Sequence, residues 1–565
     1  MHRASKTAEN AHLLTREFSG GSQYEQRTKR TAQQEWSVSP PLTPLSPPLD
    51  FAFSWASHSC LGCWTCRARK VKCEESRPVC KNCTERSLGC DYAPRLKPQR
   101  RRRVRSESGT EASPSQHPSS THPSGCSPTY TSTIEPSLFG SEWSHELPNG
   151  LSIHDWPIPL TPTDCQALQH YAEDFIPRMV LRTPRWSSYS FVLLLCSKHA
   201  LLAHLVLAFS VRDMAKKDDG ALHIMAIEHY RIALAMFIDY LGSSERLLWL
   251  TFPALWLFIH YEQQYGDDPR ALQRHLEGVR DVVASHGPAL FSGSSGAFVP
   301  MNMGDEERPR QIVSRLALWV IYHDASASTF GFGGSLIRLL NEKYPESIGQ
   351  IRENSKSMIE AAWGESYPVR EQLWDLQLSP LEGLYHECHL LRYELSTVEG
   401  GNEDFNLRKL MEVGRELKRL EKEYFPLLHA SLLYNDERST IQSNNYIGPA
   451  MYYALVITFE RKVWKTRPSI AISKTLQACA SLYEREGVGY LWRIAWPMFV
   501  AGLETDDLVY QTWIIERFTS MQNLGENLRR AKVVLEKVCL EQRRTGLQVD
   551  YLSRIKSGEY QGFVI

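Results

Sequence analysis

Apolar and polar positions divide this 565-residue chain into two unlike materials. From about residue 141 onward Trp, Leu, Tyr and Phe recur throughout, at the three- and four-residue steps of helices. The segment Arg246 to Tyr261, RLLWLTFPALWLFIHY, is apolar nearly all round, as suits a helix enclosed by others. Leu410, Val413, Leu417, Leu420 and Tyr424 step by three and four, and so do Leu524, Leu528, Ala531, Leu535 and Val538. Each stripe covers only about two heptads, short of the three or four that mark a coiled coil, so packing within the domain is expected rather than a dimer seam. Strand-like alternation of Val, Ile and Thr between tight turns is scarce. The pattern predicts a mostly α protein whose large domain is all-α, with about a dozen helices or more and chain enough to bury a large core.

One apolar stretch has the length of a membrane span: Ser190 to Val211, SFVLLLCSKHALLAHLVLAFSV. Lys198, His199 and His204 interrupt it, so a buried helical hairpin is expected and no membrane partner. Before residue 141 the material changes. Residues 1–58 are polar and close on SVSPPLTPLSPPLD, and the stretch from 106 is rich in Ser, Thr, Pro and Gly. Such compositions cannot bury enough apolar surface to order themselves. The expected organisation is a disordered tail over 1–58, a small cysteine-rich domain over 59–93, a basic and then Ser/Pro-rich linker over 94–140, and a helical domain over 141–565.

Charge sharpens this division. The whole chain carries 64 basic and 64 acidic residues. Residues 60–105, however, hold 14 Lys and Arg against 4 Asp and Glu, while 106–565 carry a formal −11. The short segment is therefore a polyanion-binding surface, with double-stranded DNA its expected partner. Its basic residues fall in two groups. Arg67, Arg69, Lys70 and Lys72 lie between two cysteines; Arg100, Arg101, Arg102 and Arg103 lie in the tract behind the cluster, placed to neutralise phosphates and to act as a nuclear import signal.

Six cysteines, Cys63, Cys66, Cys73, Cys80, Cys83 and Cys90, supply the candidate chemistry. Their spacing is C-x2-C-x6-C-x6-C-x2-C-x6-C, one unit written twice at an offset of 17 residues. Zinc takes four tetrahedral ligands, so three cysteines per half leave each metal one short. Two shared thiolates fill the deficit, and two zinc ions then fit. Disulfides are not expected: MHRASKTAEN has no signal-peptide apolar stretch, and Cys60 makes the local count odd. The second half has only Arg86, opposed by Glu85, between its last two cysteines, so the first half should face the nucleic acid.

The stretch GCWTCRARKVKCEESRPVCKNCTERSLGC resembles the fungal binuclear zinc cluster family of DNA-binding domains, and every spacing agrees. The resemblance implies two short helices around two zinc ions, bridging roles for Cys63 and Cys80, a loop-shaping Pro78, and a base-reading role for Lys70 over CGG triplets in the major groove. More loosely, Arg315 to Ser328, with Trp319, Tyr322 and Asp324, and Tyr490 to Phe518, with Trp496, Pro497, Gly502 and Trp513, resemble the fungal-specific transcription factor domain. That likeness implies a helical regulatory module, a nuclear location and the transcription machinery as partner.

Catalysis finds little support. There is no GxSxG, HExxH, Walker loop or GxGxxG, and His386 and His389, one turn apart in YHECHLL, lack identifiable further metal ligands. The expectation is a sequence-specific transcriptional regulator and not an enzyme. The alternative is a ligand-sensing or partner-binding helical scaffold with secondary DNA binding. Residues 91–140 show no heptads, so homodimerisation and the identity of any small-molecule effector stay open.

Overall fold

The computed structural model describes residues 66, 71, 73, 80–86, 156–180, 183–215, 220–242, 248–287, 308–356, 358–398, 403–430, 441–464 and 467–565. The chain divides into two units, Met1–Phe139 and Gly140–Ile565. In the first, the described helix is α1 (Lys81–Thr84). The expected tail over 1–58 and linker over 94–140 lie outside the described residues.

The second unit is helical throughout, with no strand among the described residues. It opens with α2 (Pro162–His170), started by a capping box. Thr161 Oγ1 accepts from Asp164 N at 3.2 Å while Asp164 Oδ2 accepts from Thr161 N at 2.8 Å, so two donors at the helix start are satisfied reciprocally. A π-helical turn, Tyr171–Phe175, leads into α3 (Ile176–Met179). Next come α4 (Ser188–Cys196) and α5 (Ala200–Met214), which together hold the apolar stretch Ser190 to Val211. The chain breaks at His199, whose extended φ of −133° separates two mostly buried helices that pack on each other, so the stretch is not one continuous span.

The helix α6 (Gly220–Gly242) lies along α5. By length and composition it could cross a membrane, and it buries only Ala226, Ala233 and Phe237. Then follow α7 (Leu248–Tyr265), α8 (Pro269–His286), α9 (Arg308–Ser328), α10 (Ser335–Lys343), α11 (Ser347–Lys356) and α12 (Met358–Trp363). The remainder comprises α13 (Val369–Ser396), α14 (Glu403–Glu423), α15 (Ile441–Trp464), α16 (Ser469–Glu486), α17 (Ala495–Glu504), α18 (Leu508–Met521), α19 (Glu526–Thr545) and α20 (Tyr551–Lys556).

Six of these helices touch in a closed cycle: α7 on α9, α9 on α13, α13 on α15, α15 on α17, α17 on α19, and α19 back on α7. Their composition explains the position. Every residue of α7 from Leu250 to Tyr261 is buried, as its all-round apolarity requires. In α19, Leu528, Ala531, Val534, Leu535 and Val538 face inward. Leu524 of that stripe sits before the helix, because Gly525 forms the N-cap. A Cβ on Gly525 would stand 2.8 Å from Gln264 O, so the close approach of α7 and α19 needs a glycine there. In α14 the buried stripe is Val413, Gly414, Leu417 and Leu420, and Tyr424 falls just beyond the helix.

Two further features lock the cycle. Asp324 of α9 is fully buried and accepts three backbone N–H groups, from Gly334 at 2.7 Å, Leu336 at 3.1 Å and Ile337 at 3.0 Å, which satisfies the start of α10. Gly334 holds φ +91°, a conformation that side chains resist. Residues 562–565 thread back onto the core: Phe563 is buried against Phe330 and Phe499, and Val564 N donates to Asn527 Oδ1 at 3.0 Å.

Candidate metal centre and nucleic-acid interface

In the first unit the backbone folds around sulfur. Val71 N donates to Cys66 O at 3.1 Å, closing the turn after Cys66. In the second half Cys80 serves as the N-cap of α1, with φ −74° and ψ 149°. Its carbonyl accepts from Cys83 N at 2.9 Å, Thr84 N at 3.0 Å and the Thr84 hydroxyl at 3.2 Å. That turn aims Cys80 and Cys83 to one side, three residues apart on a helical start.

Cys66, Cys80 and Cys83 are each fully buried, and Cys73 packs against them. Cys66 Sγ lies 3.6 Å from Cys80 Sγ and 4.0 Å from Cys83 Sγ. All three sulfurs fall within 4.8 Å of one another. A disulfide would need about 2.05 Å, far shorter than either separation. Four thiolates at about 2.3 Å around one zinc would stand about 3.8 Å apart, which the two distances bracket. Among the described residues the grouped ligands are all sulfur, a set that zinc accepts and harder ions refuse. The residues present therefore fit zinc.

Of the expected site residues, the structure brings Cys66, Cys80 and Cys83 together and sets Cys73 beside them. Cys63, Cys90, Arg67, Arg69, Lys70, Lys72, Arg100, Arg101, Arg102 and Arg103 lie outside the described residues. On α1 the basic charge is largely answered: Lys81 and Glu85, both well exposed, pair at 3.8 Å across one turn.

The other candidate metal pair does not assemble. His386 and His389 are both buried in α13, with His386 Nδ1 hydrogen-bonded to the Tyr322 hydroxyl at 3.1 Å and His389 stacked on the Tyr322 ring at 4.5 Å. Burial pushes the His386 imidazole down to about 4 and His389 well below its usual range, so both are neutral. Among the described residues the three cysteines are the one grouping with metal-ligand geometry.

Comparison with known proteins agrees with both halves of the chain. The model of the fungal Zn(2)-Cys(6) binuclear cluster domain matches residues 61–99. The fungal specific transcription factor domain matches residues 166–560. Among curated proteins, 31 residues are 61% identical to sterol uptake control protein 2 of Candida albicans, covering 6% of this chain and 4% of the relative. Another 31-residue match is 58% identical to the Zn(2)-C6 fungal-type transcription factor afumD of Aspergillus fumigatus, over 6% of this chain and 8% of that one. The transcriptional regulatory protein UME6 of Saccharomyces cerevisiae is 51% identical over 39 residues, 7% of this chain and 5% of the relative. The chain thus spans less than a tenth of the length of these relatives in the matched region. No solved structure matches.

Proposed function

This chain belongs to the fungal specific transcription factor domain family; from that premise we propose that it is a zinc-binding, sequence-specific DNA-binding transcription regulator and not an enzyme, which reads CGG-type sites in the major groove and controls transcription by RNA polymerase II in the nucleus. The observation that carries the reading is the buried sulfur cluster of Cys66, Cys80 and Cys83, drawn from both halves of the cysteine repeat.

In this reading two zinc ions are held by Cys63, Cys66, Cys73, Cys80, Cys83 and Cys90, with Cys63 and Cys80 shared. Binding of structural zinc is worth on the order of 10 to 16 kcal/mol in small domains, more than so short a segment gains from its own core. The metals stiffen the first half so that Arg67, Arg69, Lys70 and Lys72 present one basic face. Lys70 donates to guanine acceptors, while Arg100 to Arg103 neutralise phosphates. A good base contact discriminates by about 1 to 3 kcal/mol, and each phosphate contact changes the salt slope by about −0.9. The transcription machinery and a second copy of the chain are the proposed protein partners.

Two measurements test this. Cys80→Ser should lose zinc from both sites, read as metal per protein in the purified fragment; two equivalents retained would contradict the shared ligand. Lys70→Ala should weaken binding to a CGG duplex more than to a scrambled one, and Arg101→Ala should weaken both alike with a shallower salt slope. Equal losses on the two duplexes for Lys70→Ala would remove it from base reading. A second reading, ligand sensing by the helical unit, is favoured by a cavity inside its ring of helices.

A further inference from the structure

The six-helix cycle does not enclose a solid core. A cavity of about 400 Å³ lies within it, and every helix of the cycle contributes to its wall. That volume falls in the range of about 300 to 1,000 Å³ typical of small-molecule sites.

One side of the wall is aromatic. Tyr189, Trp256 and Trp319 form a triangle with ring centres 5.3, 5.4 and 5.3 Å apart. Such surfaces take planar apolar bodies by stacking and edge contacts.

The polar side of the wall is short of acceptors. Arg493, on the 3-10 turn Val488–Ile494, has its guanidinium 4.9 Å from the Trp492 ring, and its Nη2 donates to Arg178 O at 3.1 Å. Its Nη1 is buried without a partner. Trp496 Nε1, at the start of α17, is also buried without a partner, and so are both ring nitrogens of His389. Arg315, on the same wall, has a carboxylate partner, Glu382, which accepts from its Nη2 at 2.7 Å, although its Nε is buried without a partner. Arg493 has no such carboxylate hydrogen-bonded to it among the described residues, and burial pulls its guanidinium down to about 10. The wall's four other cationic side chains each have a partner: Arg315 pairs with Glu382, Lys356 with Glu353 at 2.7 Å, Arg352 lies 3.9 Å from Glu387, and Arg392 donates to Ile565 O at 2.7 Å.

A buried donor left unpaired is costly, and a buried positive charge more so. One kind of occupant removes both costs and fills the aromatic side. We propose that this cavity binds a small aromatic carboxylic acid, with the carboxylate received by Arg493 and Trp496 and the ring set against Tyr189, Trp256 and Trp319. The site is a property of the helical unit and does not depend on the zinc cluster or on which DNA it reads.

The test is calorimetric titration of the purified full chain with 2-naphthoate and with 2-naphthamide, which matches it in shape and lacks the charge. The acid should bind and the amide should bind at least tenfold more weakly. Arg493→Met should abolish that preference, and Arg493→Lys, which keeps the charge but not the forked donor, should reduce it several-fold. Should Arg493→Met fail to fold, the Lys variant and the acid–amide comparison on the unaltered chain still decide. No binding of the acid up to about 1 mM, equal affinity for acid and amide, or an acid preference that survives in both Arg493 variants would each overturn the proposal. Because binding is read directly, failure here leaves the DNA-binding reading standing.

Discussion

Asp324 shows how one carboxylate can hold two helices. Burial raises its carboxyl to about 6, and the three backbone N–H donors around it pull the other way. Asp324→Ala would leave those three donors buried and unpaired, at about 1 to 3 kcal/mol each in the worst case. A loss of about 3 kcal/mol or more is expected, measured by urea unfolding, with Asp324→Asn falling between. An Ala variant as stable as the parent would show that α10 finds its cap elsewhere. The sequence marked Asp324 as a family-like position but could not name its partners, which sit ten to thirteen residues on in the GFGGSLI turn. Arg493 gave no signal at all, since an arginine between two apolar runs reads as any surface residue.

The buried histidines set a pH limit. Burial lowers His260 to about 3 and His275, His323 and His386 to about 4. Unfolded, each titrates near 6.5, so between about 6.5 and 4 the unfolded chain binds more protons than the folded one. Their contribution is fully present above pH 6.5 and is lost as pH falls, by roughly 1.4 kcal/mol per pH unit for each group. The melting temperature should drop steeply from pH 6.5 to 4, and His323→Gln should flatten that slope by about one proton. An unchanged slope would show that His323 is protonated in the fold.

At the scale of elements, periodicity was a sound guide to which face is buried and a poor one to where helices end. The α14 and α19 stripes bury as their spacing requires, yet Tyr424 lies past the end of one and Leu524 before the start of the other. Boundaries depend on caps, and Gly525 caps α19 because α7 comes too close for a side chain, which is a tertiary fact. Gly502 of α17 is a similar case: a Cβ there would stand 3.2 Å from Leu535 and 3.3 Å from Ile514. Gly502→Val should therefore cost about 1 to 3 kcal/mol through overpacking between α17, α18 and α19, seen as a lower midpoint in denaturant. A neutral effect would mean that Leu535 and Ile514 can turn aside freely.

For the whole molecule, the net charge of zero conceals a basic segment over 60–105 and an acidic remainder. The cysteine repeat made the metal chemistry legible because ligand spacing is written locally. The cavity was not legible, since its wall is gathered from helices spread from residue 179 to residue 565. Deleting 60–105 should abolish binding to a CGG duplex while leaving the helical circular dichroism of the remainder. Retained sequence-specific binding would move the DNA surface elsewhere.

The closure of α7 on α19 also bears on how the protein is made. Gln264 meets the carbonyl of Leu524 across 260 residues of chain, so the apolar surface of α7 leaves the ribosome long before its neighbour exists. At about 5 to 20 residues per second, the wait is roughly 13 to 50 seconds. Over that interval a nascent chain shows water a helix with no polar side, so chaperones should hold it. A message truncated before α19 should accordingly yield insoluble protein rather than a freed DNA-binding fragment.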